Sequence, residues 1–99
     1  MLSAKAKIRL DDAFGSKADS AAFQAAVSGR SALSTKLKAA TIVAFASKKI
    51  GNEIIAAVVS GAALSKEAQR RCLIVMAKAS DGNELIQFIQ SAASPAIKL

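Results

Sequence analysis

The feature that most constrains this chain is a period. Shifted by 31 positions, Ala32–Ala62 (ALSTKLKAATIVAFASKKIGNEIIAAVVSGA) overlies Ala63–Ala93 (ALSKEAQRRCLIVMAKASDGNELIQFIQSAA) without a gap, sharing Ala-Leu-Ser at the start and Gly-Asn-Glu in the middle. The same shift backwards aligns Met1–Ser31 with the second copy through Leu2/Leu33, Ser3/Ser34, Phe14/Phe45, Lys17/Lys48 and Ala25-Ala26-Val27/Ala56-Ala57-Val58. Tandem copies of this length mark a repeat array, in which each unit is one supersecondary element that cannot bury its apolar face alone. The 99 residues are therefore read as one domain: repeats 1–31, 32–62 and 63–93, followed by a tail at 94–99.

Each copy reads as a helical hairpin. Val, Ile and Thr never alternate with polar residues over a strand length, so the expected class is all-α. Ser3, Ser34 and Ser65 are N-cap candidates for a first helix of about a dozen residues, ending near Gly15, Ser47 and Ala79. Gly51 and Gly82 are expected in the turn, with Asn52 or Asn83 capping a second helix of about nine residues. Glu53 or Glu84 would fall in its first turn, complementing the helix dipole. Asp81 and Glu84 also fit a capping box, and the first copy would use Asp19 or Ser20 instead. The second helices should stop near Gly29, Gly61 and Ala93, the last before Pro95.

Helices this short need packing partners. The expected architecture is a short right-handed α-solenoid of three 31-residue helical-hairpin repeats. Asp11-Asp12 replace Ile42-Val43 and Leu73-Ile74, while Arg70, Arg71, Gln87 and Gln90 replace Ala39, Ala40, Ala56 and Val59. These differences read as the polar outer faces of two terminal caps, making a complete short array.

Composition removes several classes of function. There is no His, Tyr or Trp, and the single Cys72 rules out an internal disulfide framework or a Cys/His metal cluster. Cys72, within RRCLIVM, is read as a small buried hydrophobe. Seven scattered acidic residues without a nucleotide-binding glycine motif leave no catalytic constellation, so no enzyme activity, cofactor or metal is expected. The most apolar region, Ala39–Leu64, is interrupted by Lys48, Lys49, Asn52 and Glu53, whereas a membrane span needs about 18–20 residues with few charges. The N-terminus lacks the apolar core of a signal peptide. A soluble, intracellular protein without a membrane partner is expected.

Fourteen basic residues against seven acidic ones give a net charge of +7 and a pI of about 10.0, which draws the chain towards polyanions. Stacked hairpins bring equivalent corners into a row. That row would hold Lys17, Lys48, Lys49 and Lys78 beside helix N-termini whose N–H groups are unpaired, an edge suited to phosphate. No aromatic residue interleaves with these lysines, so base stacking of the single-strand type is not expected.

Thr41–Val58, TIVAFASKKIGNEIIAAV, resembles the DNA-binding repeat of transcription activator-like effectors and their short-repeat relatives. Ile42-Val43-Ala44-Phe45-Ala46-Ser47 matches the family's first helix, Lys48-Lys49 its variable pair, Gly51 its turn, and Ile55 and Val58 its second helix. The same register gives the pairs Lys17-Ala18 and Ala79-Ser80 in the other copies. The resemblance implies base-facing roles for Ala18, Lys49 and Ser80. It also implies an interface made of Lys17, Ala18, Lys48, Lys49, Gly51, Asn52, Lys78, Ser80, Gly82 and Asn83. It points to double-stranded DNA as partner, in the cytoplasm or nucleoid, or in a host nucleus if the chain is a secreted effector. Three repeats reach about three base pairs, too few for useful specificity, so largely non-specific, salt-sensitive binding is expected. The alternative is a protein-interaction module, either an adaptor or a homodimer.

Overall fold

The computed structural model describes residues 2–92, and among these it is wholly helical. The helices are α1 (Ala4–Phe14), α2 (Lys17–Gly29), α3 (Thr35–Ala44), α4 (Lys48–Ser60), α5 (Lys66–Val75) and α6 (Ala79–Ala92). Each first helix starts at the expected serine. The Ser3, Ser34 and Ser65 hydroxyl oxygens accept the N–H of Ala6, Leu37 and Ala68 at 3.2, 3.1 and 3.1 Å. The corners repeat as well: Gly15, Ala46 and Ala77 all take the left-handed conformation, with φ of 68°, 54° and 58°. Alanine at such a site carries a strain of about 1 kcal/mol, so the second and third hairpins tolerate a conformation that glycine makes easy in the first.

The second helices begin earlier than the glycines suggest. Ser16 and Ser47 cap α2 and α4 by accepting the N–H of Asp19 and Ile50 at 3.2 and 3.1 Å. Gly51 and Gly82 therefore lie inside α4 and α6, not in a turn, and Asn52 and Asn83 are exposed mid-helix residues rather than caps. The glycines serve packing. A Cβ on Gly51 would sit 2.7 Å from the Ile42 Cα, and one on Gly82 would sit 2.6 Å from the Leu73 Cα. The two helices of a hairpin touch backbone to backbone there, and only a residue without a side chain fits. Ser20, fully buried, holds the matching place in α2. The expected end of the third hairpin near Ala93 and the tail at 94–99 lie outside the described residues.

Burial follows the period. Leu2, Leu33 and Leu64 are buried together, as are Phe23, Ile54 and Leu85, and Val27, Val58 and Ile89. Each such large apolar side chain contributes about 1.5–3 kcal/mol on leaving water. Leu10, Thr41 and Cys72 share another buried slot, where the Thr41 hydroxyl donates to the Leu37 carbonyl oxygen at 2.8 Å. Burial pushes the Cys72 thiol up to about 12.

The hairpins do not form a row with separate ends. α2 packs on α3, α4 on α5, and α6 returns to pack on α1; the second helices α2, α4 and α6 also touch one another pairwise. Successive hairpins thus meet second helix to first helix, and α6 brings the last hairpin back onto the first; α1 also packs on α3. The cap reading falls with the open row. Val43 and Ile74, at the places of Asp12, are 77% and 58% exposed, so that stripe faces solvent in every copy. Ala39, Ala56 and Val59 of the middle hairpin are likewise exposed.

Two outcomes are expected. Gly51→Ala should destabilise by about 1–3 kcal/mol in urea denaturation, although alanine is the better helix former, because overpacking outweighs a propensity gain of about 1 kcal/mol. A circular permutant joining Ala93 to Met1 and opening between Ser31 and Ala32 keeps the 31-residue register and all three junctions. It should match the parent in helix content by circular dichroism and in stability to within about 1–2 kcal/mol. An open row would lose the packing between its first two hairpins.

Candidate nucleic-acid interface

The proposed interface residues fall on the starts of the second helices. Lys17 and Ala18 are the first two residues of α2, Lys48 and Lys49 the first two of α4, and Lys78 immediately precedes α6, whose second residue is Ser80. All six are exposed, as are Asn52 and Asn83. Gly51 and Gly82 are buried against Ile42 and Leu73 and have no surface to offer a ligand. Lys48-Lys49 is thus a helical first turn, not a loop. The helices that begin there, α2, α4 and α6, touch one another pairwise.

Helix N-termini carry a partial positive charge, so cations there are disfavoured by about 0.3–1 kcal/mol each. α2 offsets this with Asp19 in its first turn, whereas α4 has no acidic residue in its first turn and two lysines instead. The Lys49 ammonium reaches Glu67 of α5 at 3.1 Å, but both side chains are more than half exposed and the pair is screened.

The glutamates expected at the starts of the second helices are engaged elsewhere. Glu53 and Glu84 do not sit in the first turn of their own helices. Glu53 accepts the Ser65 hydroxyl at 2.8 Å and the Ser65 N–H at 3.4 Å, completing the cap of the next hairpin's first helix. Glu84 does the same across the closing junction, accepting the Ser3 N–H at 3.0 Å. Asp81 also reaches α1. It is buried in the slot that Ile50 fills one copy earlier, with the Arg9 guanidinium at 3.7 Å. The capping box read from Asp81 and Glu84 is therefore replaced by contacts to the first hairpin. The recurrence of Glu at 31 residues is the signal in the sequence for these junction carboxylates.

Beside the closing junction lies a cleft of about 580 Å³ between α1, α2 and α6, lined by Leu2, Lys7, Gln24, Glu84, Gln87 and Phe88 among others. It combines one cation, one anion and amides over a small apolar floor. Among the described residues no group of His, Cys, Asp and Glu could hold a metal ion, and no helix is long and apolar enough to cross a membrane.

Comparison with protein-family models, with curated proteins and with solved structures finds no match for the chain.

The bond from the Ser3 N–H holds the Glu84 carboxyl below its ordinary range. A carboxylate whose folded-state pKa is depressed stabilises the fold above its unfolded pKa, and that contribution disappears as pH falls through the depressed value. Glu84→Gln should therefore lower the urea midpoint near pH 7, and the gap between variant and parent should shrink as pH falls below the ordinary carboxylate range.

Proposed function

We propose that this protein binds nucleic acid, most readily duplex DNA, with little sequence specificity. The observation that carries the reading is the exposure of Lys17, Lys48 and Lys49 in the first turns of α2 and α4, where the helix dipole opposes cations. A phosphate at that end would satisfy both the lysines and the free N–H groups of the helix starts.

The resemblance to transcription activator-like effector repeats adds support, with Ala18, Lys49 and Ser80 as the residues to face bases. A closed ring of three hairpins would not wind along a groove. It would press one basic end against the backbone, so phosphate contacts would dominate over base readout. Such a partner implies an intracellular site of action.

A second reading, a protein-interaction module, is favoured by one observation: Val43 and Ile74 are large, exposed and equivalent on α3 and α5.

Mobility shift on a short random duplex distinguishes the two. Affinity should fall by about two orders of magnitude between about 50 and 200 mM salt, the slope of three to four phosphate contacts. Lys48→Glu with Lys49→Glu should abolish the shift while leaving capture of an apolar protein partner unchanged. No shift at low salt, or a salt-independent one, would remove the nucleic-acid reading.

A further inference from the structure

Two junctions in this fold use the same chemistry, but only one of them is joined by the chain. Between the second and third hairpins, Glu53 of α4 caps Ser65 at the start of α5, and a short link from Gly61 to Ser65 connects the two. Between the third and first hairpins, Glu84 of α6 caps Ser3 at the start of α1 in the same manner. Arg9 adds a guanidinium to the buried Asp81. No link holds α1 to α6, so nothing in these contacts distinguishes the α1 of the same chain from that of another.

We propose that the closing junction is an exchangeable interface whose second partner is another copy of this chain: α6 of one copy accepts α1 of the next, head to tail. The interface is heterologous, with different surfaces on its two sides, and such interfaces build rings or open chains according to whether the rotation closes. Within one chain it closes after three hairpins. Two copies can exchange first hairpins, so that α1 of each packs on α6 of the other and every junction is kept. The links at residues 31–34 and 61–65 are the non-helical joints between hairpins at which the angle would open. The intramolecular form wins in dilute solution because the first hairpin is present at an effective concentration of order millimolar, so exchange becomes visible when chain concentration approaches that value. The proposal does not depend on nucleic-acid binding.

Mixed cross-linking of full-length chains tests it. In a Cys72→Ser background, one chain carries Ala4→Cys and the other Glu84→Cys. Neither can join its own α1 to its own α6. The two are denatured together, refolded at about 1 mM or about 10 μM, diluted to equal concentration and treated with a short bis-maleimide. The expected product is a mixed dimer formed at the high concentration, at least about fivefold above its yield at the low one. It should also exceed the product of a control pair, Ser34→Cys with Glu84→Cys, whose positions do not meet across this junction. Equal yields for the junction and control pairs, or monomer alone at both concentrations, would overturn it. Because Glu84→Cys removes one junction contact, a second pair, Ala4→Cys with Asn83→Cys, leaves Ser3, Arg9, Asp81 and Glu84 intact and must give the same result.

Discussion

A hairpin of two amphipathic helices in a tandem row has an apolar flank on each side, and a row of three leaves two flanks uncovered. Everything distinctive in this structure follows from how that surplus is removed. The last second helix, α6, returns to the first helix, α1, and the two uncovered flanks cover each other. Three short helices, α2, α4 and α6, then share one interior, so residues such as Phe23, Ile54 and Leu85 are sealed by neighbours on both sides.

The polar chemistry of the closure is as specific as its apolar packing. A helix start needs acceptors for its first N–H groups, and a serine hydroxyl supplies only one. A glutamate from the neighbouring hairpin supplies another at Ser65 and at Ser3. The junction between the first and second hairpins lacks this device, because Ala22 stands where Glu53 and Glu84 stand in the later copies.

Much of the local structure was legible in the sequence. The serines that start α1, α3 and α5 are where capping chemistry puts them, since a hydroxyl three residues before an amide is a local arrangement. The glycines misled for a physical reason. Gly51 and Gly82 are turn formers by propensity, but a glycine is equally required where two backbones approach too closely for a Cβ. Ala46 and Ala77, not glycine, take the left-handed corner, because packing of the hairpin overrides a strain of about 1 kcal/mol. Of the candidate interface, Lys17, Lys48, Lys49 and Lys78 are exposed at helix starts, while the two glycines are interior.

The sequence by itself determined the repeating hairpin and the serine caps of its first helices, because these depend on contacts within about one period of the chain. Only the tertiary structure decided that the ends meet. Closure depends on the angle between successive hairpins, summed over three of them, and no short stretch of residues encodes that sum. The sequence shows Glu84 and Ser3 at opposite ends of the chain; the accumulated rotation brings them to 3.0 Å.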